Sequence, residues 1–300
     1  MTEWLLDGTL GLLVLLLAFG ALHGRDLYVS VLLFIAFGLA LALVWARLGA
    51  ADLALAEAAI GAGLTGVLLF AALANQPAEA PRQRRGRFLA SAAVVLPLLM
   101  LLVQGLMPLA EQRSDMPAMI DAALPHSGVS HPVTAVLLNF RAWDTLLELA
   151  VLLLALLGAR QLGPRRLELA EPWPLLRSWA RVLAPLLVLA GGYVLWRGAS
   201  APGGAFQAGS LLAAGVVLLR LAGLLPMLRW SSAPLRLVVL GGLLVFIGVA
   251  LVTAWLGGGW LYYPDGAAKG VILMIEAVAT LSIAASLSLL VVGEREEPTA

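Results

Sequence analysis

The chain contains no cysteine and has few histidines and few charged residues. Of its 300 residues, three are histidine and only 12% are charged, whereas soluble globular proteins average about 25% charged residues. Without cysteine, the chain forms no disulfide, no thiolate metal site and no iron–sulfur ligand. Because 61% of the residues are hydrophobic, they could not cover a water-facing surface, and the lipid bilayer must be the main solvent. The formal net charge of +1 gives no field that would attract nucleic acid.

Long apolar stretches separated by short polar linkers dominate the sequence. A membrane-spanning helix needs about 20 predominantly apolar residues. We therefore predict an all-α, polytopic integral membrane protein with about nine transmembrane helices. The nine stretches cover residues 5–22, 27–46, 51–74, 88–108, 142–162, 180–197, 204–225, 235–257 and 268–292.

The basic residues predict how the chain is oriented in the membrane. Cytoplasmic loops carry an excess of Lys and Arg, and two of the linkers are rich in arginine. They contain Arg82, Arg84, Arg85 and Arg87 after the third stretch, and Arg160, Arg165, Arg166, Arg177 and Arg181 after the fifth. We expect the N-terminus outside and the C-terminus in the cytoplasm, which puts about 14 of the 19 Lys and Arg residues inside.

Three glutamates lie inside predicted spans. An ionisable group near the bilayer centre costs at least about 2.5–3.5 kcal/mol and usually marks a functional site. Glu57, Glu148 and Glu276 each lie about 8–13 Å from the start of their helix, at a rise of about 1.5 Å per residue. All three helices start at the outer side, so we expect the three carboxyl groups at similar depth in the outer half of the membrane.

Other polar residues lie close to this layer. Arg141, Asp144 and Glu148 fall on one stripe of the fifth helix, and Lys269 and Glu276 fall on one stripe of the ninth. Asp52, Asp144 and Lys269, at the helix starts, are better explained as caps or as groups that snorkel to the interface. The polar residues that accompany the glutamates are Asp52, Gln104, Arg141, Asp144, Gln207 and Lys269.

The polar layer has two interpretations. In the first, it forms a hydrated half-channel that opens outward and relays protons or sodium, because carboxylate oxygens suit hard cations and a desolvated carboxylate exchanges protons near neutral pH. In the second, each glutamate only fixes helix packing, because it pairs with a basic residue or with a neighbouring subunit. The residue types alone leave both open.

Three segments contain more specific patterns. They read GAADLALAEAAIGAG over residues 49–63, LNFRAWDTLLE over 138–148 and RGASAPGGAFQAG over 197–209. The first places Asp52 and Glu57 among small residues that permit close helix packing in lipid. In the third, the sequence Pro202, Gly203, Gly204 predicts a tight turn between two apolar helices.

These segments, in this order, resemble a family of proteins that form Mrp-type multisubunit cation/proton antiporters. The first is similar to the motif Gly-Ala-Pro-Asp-x-Ala-x-Thr-Glu-Ala-x-x-Gly, shared by the C-terminal part of the antiporter protein MrpA and by the MbhD protein of membrane-bound hydrogenases. The second resembles the motif (Asp/Asn)-Phe-Arg-x-(Phe/Tyr)-Asp-Thr-x-x-Glu of the region that follows in MrpA. That region is equivalent to the E subunit of membrane-bound hydrogenases, and we call it the E-like region. The third resembles the motif Gly-His-Asn-x-Pro-Gly-Gly-Gly-Phe-x-Gly-Gly of the antiporter protein MrpB.

The resemblance covers nearly the whole chain and implies how it is divided. Residues 1–108 would form the MbhD-like region of MrpA with the first helix of the E-like region, and residues 109–162 the rest of the E-like region. Residues 163–179 would form a cytoplasmic linker, and residues 180–300 an MrpB-like module of four helices. We see no internal repeat, so an inverted-repeat transporter gains no support.

The chain departs from these motifs at several positions. Ala51 and Ala56 replace the proline and threonine of the first motif, and Ala199 and Ser200 replace the His-Asn pair of the third. The second replacement argues against an ion site on the hairpin itself. The carboxylates retained at matching positions are Glu57, Asp144 and Glu148.

The resemblance implies a non-catalytic subunit in a bacterial cytoplasmic membrane. Its partners would be large antiporter-like membrane subunits and small helical membrane subunits. With no nucleotide-binding loop, nucleophile constellation or metal-ligand cluster, we expect neither an independent enzyme nor a cofactor. The candidate ion or proton path comprises Glu57, Glu148, Asp144, Asp52, Glu276 and Lys269, and the candidate structural motif comprises Arg141, Pro202, Gly203 and Gly204.

Three functional hypotheses follow. The chain is a fused subunit of a sodium (or potassium)/proton antiporter, a membrane-arm subunit of a hydrogenase or another redox complex, or a scaffold that transports nothing. The same carboxylates would serve the first two, whereas the third predicts that neutralising any of them leaves transport unchanged.

Overall fold

The protein is an all-α membrane protein, as predicted. A computed structural model describes residues 2–24, 26–73, 85–111, 115–162, 172–226, 228–256, 259–264 and 266–293. Every regular element within these ranges is helical. The chain divides into two units, one within residues 1–74 and 124–300 and the other within residues 75–123.

The first unit contains most of the helices. They are α1 (Thr2–His23), α2 (Leu27–Arg47), α3 (Ala51–Ala56), the π-helix π1 (Glu57–Leu64), α4 (Thr65–Leu73), a short 3₁₀ helix (Leu124–His126), α7 (Pro132–Ala135), the π-helix π2 (Val136–Phe140), α8 (Ala142–Gln161), α9 (Pro174–Arg197), α10 (Ala205–Leu221), α11 (Ala233–Trp255) and α12 (Ala268–Val292). The second unit contains α5 (Arg85–Glu111) and α6 (Met116–Ala123).

All nine predicted stretches contain helix. Seven described helices are long and apolar enough to cross a membrane. Two further apolar helical segments lie in the fourth and seventh stretches, Ala93–Met107 within α5 and Ala205–Leu221, which is α10. The number nine and the orientation of the termini therefore stay predictions. Among the arginines used to orient the chain, Arg82, Arg84, Arg165 and Arg166 lie outside the described residues.

Helix α12 lies at the centre of the first unit. Of its most apolar stretch, 72% is buried within the protein, and it packs against α8, α10 and α11. The core around it includes Phe246, Ile272 and Ile283. A Cβ on Gly209 of α10 would stand 2.7 Å from Ile283 Cγ2, so this glycine lets the two helices approach closely, as small residues do in lipid.

The third predicted span is a single helical stretch with a π-helical middle. Helix α3 continues as π1 and then as α4, and the hydroxyl of Thr65 donates to the carbonyl of Ile60 at 2.9 Å. A Cβ on Gly38 of α2 would stand 2.9 Å from Ala62 Cβ. The small residues predicted to permit close packing therefore meet the neighbouring helix at this point.

Residues 124–141, which we call the proline-rich segment, contain Pro125 and Pro132 and form no long helix before α8, because proline interrupts regular helices. The segment forms the 3₁₀ helix, a four-residue α7 and π2, and then enters α8 at Ala142. Asn139 donates to the carbonyl of Ser127 at 2.9 Å, and Thr145 donates to the carbonyl of Leu137 at 2.7 Å. These bonds fix the segment against the start of α8.

Candidate functional site

A cavity of about 390 Å³ in the first unit collects several of the predicted polar residues. Its walls come from α3, π1, α7, π2, α8, α10 and α12, together with the hairpin of residues 198–204 between α9 and α10. Most of the lining is apolar. The polar side chains that line it are Asp52, Thr134, Thr145, Glu148, Gln207 and Glu276.

Asp52 connects three separate segments at this cavity. His131 Nε2 lies 2.8 Å from Asp52 Oδ2, and the amide of Gly203 donates to Asp52 Oδ1 at 3.1 Å. The side chains of His131 and Asp52 are only 13% and 15% exposed. Asp52 therefore joins α3 to the proline-rich segment and to the hairpin, and does more than cap a helix.

Further hydrogen bonds hold the proline-rich segment on the hairpin. The amides of Ser130 and His131 donate to the carbonyl of Ala199 at 3.0 and 3.3 Å. The hydroxyl of Thr134 donates to the carbonyl of Gly198 at 2.5 Å. The segments on either side of the cavity are thus tied together by backbone and side-chain bonds.

The hairpin turns where the Pro-Gly-Gly sequence predicts it. Gly203 and Gly204 have φ of +154° and +126°, which side chains rarely tolerate. A Cβ on Gly203 would collide with the carbonyl oxygen of Val194. The two glycines are therefore required by the backbone, and they bring the Gly203 amide to Asp52.

Glu276 is the most deeply buried ionisable group of the site. It is 2% exposed, and Oε2 has no hydrogen-bond partner among the described residues. Its carboxyl group lies against the hairpin, since a Cβ on Gly204 would stand 3.1 Å from Oε1 and one on Gly198 3.3 Å. Buried polar groups are nearly always hydrogen-bonded. The free oxygen of this carboxyl group is therefore able to bind a proton or a cation.

The second interpretation of the polar layer gains no support at Glu276. Lys269 is exposed, and among the described residues neither it nor Glu276 takes part in an ion pair. Arg141 pairs with Asp144 at 2.6 Å, and their side chains are 69% and 42% exposed. That pair lies outside the cavity lining.

Glu57 lies apart from the other two glutamates. It begins π1, is half-buried and is not among the residues that line the cavity. Its carboxylate lies over Gly61, where an added Cβ would collide with it. π-Helical segments are rare and often occur at functional sites. Gln104 is on α5, in the other unit.

Sequence patterns did not reveal two of the residues that shape the site. His131 and Thr134 lie in the proline-rich segment, and each is bonded to a residue more than sixty positions away. One signal was present: His131 is one of only three histidines in the chain and directly precedes Pro132.

Two separate parts of the chain match two protein families. Residues 12–78 match the family MbhD, a component of MBH, and residues 175–294 match the family MnhB, described as a domain related to the MnhB component of a Na+/H+ antiporter. The chain is a fusion of an MbhD-like and an MnhB-like region. Asp52 and Glu57 lie in the MbhD-like region, and the hairpin and Glu276 lie in the MnhB-like region. The cavity is therefore built where the two regions meet, with Thr134 and Glu148 supplied by the sequence between them.

Solved structures show the same relationship. The fold is similar to a chain of the Mrp complex from Dietzia sp. DQ12-45-1b, at 26% identity and a TM-score of 0.75. That match covers 97% of this chain but only 35% of the Mrp chain. A chain of the membrane-bound sulfane sulfur reductase (MBS), an archaeal respiratory membrane complex, shares the fold at 23% identity and a TM-score of 0.57, over 70% of this chain and 99% of that chain. No curated protein is significantly similar in sequence.

Proposed function

We propose that this MbhD–MnhB fusion belongs to a multisubunit sodium (or potassium)/proton antiporter, and that its cavity forms part of the cation and proton path. The observation that carries the proposal is the arrangement of Asp52, Glu148 and Glu276. Three helices bring these carboxyl groups to one cavity at the junction of the two family regions. A purely structural subunit has no need for a buried carboxyl group without a partner.

The chemistry of the cavity suits exchange between a cation and a proton. A carboxylate oxygen accepts either one, and the two compete for it, so occupancy by one displaces the other. Among the described residues, no three ionisable or thiol side chains are placed to hold a metal ion.

The remaining predicted residues have secondary places in the proposal. Glu57, on π1, would continue the path beyond the cavity, and Asp144 and Lys269 would lie at its exposed edge. Arg141 would fix Asp144, and the turn of Pro202, Gly203 and Gly204 would position Asp52. Large antiporter-like subunits and small helical subunits would complete the path in a bacterial cytoplasmic membrane, with no cofactor and no enzymatic activity in this chain.

A second candidate is a membrane-arm subunit of a redox complex. The match of residues 12–78 to the MbhD component of MBH and the fold shared with the MBS chain favour it. The same cavity would then move ions in response to electron transfer in partner subunits. Iron–sulfur absorbance or nickel in the purified complex, or hydrogenase genes beside this one, would identify that assembly.

Sodium-dependent proton movement in inverted vesicles that contain the whole complex tests the first candidate. We expect Glu276→Gln, Glu148→Gln and Glu57→Gln to abolish or strongly reduce exchange while the complex still assembles. Gln keeps the shape of Glu but cannot lose a proton. Glu3→Gln is the matched control, because Glu3 is exposed on α1. If all three cavity and path variants exchange at the wild-type rate, the chain is a scaffold.

A further inference from the structure

The hairpin lacks a side chain that the motif it resembles has. The MrpB motif reads Gly-His-Asn-x-Pro-Gly-Gly, and this chain has Gly198-Ala199-Ser200-Ala201-Pro202-Gly203-Gly204 at those positions. The hairpin therefore presents no imidazole. The resemblance does not explain which side chain takes the role of that imidazole in this chain.

The structure places a histidine from the proline-rich segment beside the hairpin. The amide of His131 donates to the carbonyl of Ala199 at 3.3 Å, so its backbone lies against the position where the motif has histidine. Its ring reaches Asp52 at 2.8 Å, and Asp52 in turn accepts from Gly203 of the hairpin. In the tautomer that carries its proton on Nε2, His131 donates this bond to the carboxylate.

The two bonds to Asp52 divide its carboxylate between two partners. Oδ1 accepts from the Gly203 amide and Oδ2 accepts from His131. A carboxylate held at both oxygens loses its rotational freedom, and charge-assisted hydrogen bonds of this kind are about twice as strong as neutral ones. The fixed carboxylate lines the same cavity as Glu276, whose Oε2 is buried and without a partner among the described residues.

We propose that His131 is a positioning residue for Asp52 and that it substitutes, from the proline-rich segment, for the histidine missing from the hairpin at Ala199. The inference rests on the proposed function, because it assigns how the cavity holds one of its carboxylates.

Exchange kinetics of the assembled complex test the proposal, with sodium chloride as the varied ion. His131→Ala frees one oxygen of Asp52, so we expect the half-saturating sodium concentration to rise about tenfold or more, as for the loss of one charge-assisted hydrogen bond. The maximal rate should change much less. His131→Gln, which retains a donor, should restore part of the loss. His126→Ala is the matched control, because His126 is exposed and does not line the cavity.

Two double variants separate this role from general loss of structure. Because His131 acts through Asp52, the variant with both His131→Ala and Asp52→Asn should be no worse than Asp52→Asn alone. The variant with both His131→Ala and Ala199→His should return the half-saturating concentration towards the wild-type value. The positioning role is wrong if the effects of His131→Ala and Asp52→Asn on the half-saturating sodium concentration multiply in the double variant. It is also wrong if His131→Ala leaves that concentration unchanged. Failure of Ala199→His to improve on His131→Ala would overturn the substitution.

Failure of the proposed function would give a different result. If the wild-type complex shows no sodium-dependent proton movement, the antiporter proposal fails whatever His131 does. The coupling between His131 and Asp52 can then be measured from melting temperatures of the purified complex. We expect His131→Ala and Asp52→Asn each to lower the melting temperature and the double variant to lower it no further than the larger single effect. Additive losses would show that the two residues are not coupled.

Discussion

Gly204→Ala should damage the site through both the backbone and Glu276. Gly204 has φ of +126° and ψ of −170°, a region that is essentially restricted to glycine and costs other residues about 1–3 kcal/mol. The added Cβ would also stand 3.1 Å from Glu276 Oε1, a contact so short that the carboxyl group must shift by a few tenths of an ångström. We therefore expect a less stable protein in which Glu276 is displaced from its place in the cavity.

Gly270→Ala is the matched control for this substitution. Gly270 lies on α12, the same helix as Glu276, and an added Cβ would meet nothing within 4 Å. Alanine there should be neutral or stabilise the helix by up to about 1 kcal/mol. The assays are the melting temperature of the purified complex and sodium-dependent proton exchange in vesicles. If Gly204→Ala matches Gly270→Ala in both, the hairpin geometry does not support Glu276 as we have argued.

Two further predictions concern Glu57 and a buried tyrosine. Gly61→Ala should impair exchange and lower the melting temperature by displacing the Glu57 carboxylate with which the new Cβ collides. In the Glu57→Ala background it should no longer lower the melting temperature, and an equal loss of melting temperature in both backgrounds would contradict this reasoning. Burial raises the pKa of Tyr263, and its hydroxyl has no hydrogen-bond partner among the described residues, so Tyr263→Phe should be about 1 kcal/mol more stable. Because burial favours the neutral phenol, the contribution of Tyr263 to the free energy of unfolding stays constant below about pH 10. Above that pH the unfolded chain loses the phenol proton more readily than the folded protein, so the wild type becomes less stable. The advantage of Phe should grow there, and melting temperatures with the same pH dependence in both proteins would refute the reasoning.

Part of the candidate site could be predicted from the sequence. Glu148 and Glu276 were expected at similar depth because both follow the start of an apolar helix, and both line the cavity. Glu57 satisfied the same criterion but lies outside the lining. Depth along a helix is a local property, whereas the direction of a side chain around the bundle depends on which neighbours its helix packs against.

Asp52 shows the opposite case. Its sequence position at a helix start indicated an ordinary cap, and its two partners, His131 and Gly203, are 79 and 151 residues away along the chain. No periodicity or spacing could link positions so far apart. The contact forms only because the proline-rich segment and the hairpin pack against the same end of α3.

The sequence by itself determined the helical class, the apolar stretches and the sharp turn at Gly203 and Gly204, because hydrophobicity and backbone freedom act within a few residues of the chain. Tertiary structure decided which carboxyl groups share a cavity, left Glu276 buried without a partner among the described residues, and brought His131 to Asp52 beside Ala199. These outcomes depend on helix packing and on hydrogen bonds between segments that are distant in the sequence. Such bonds are favoured in a membrane protein because the hydrocarbon core contains no water to hydrogen-bond an unmatched polar group.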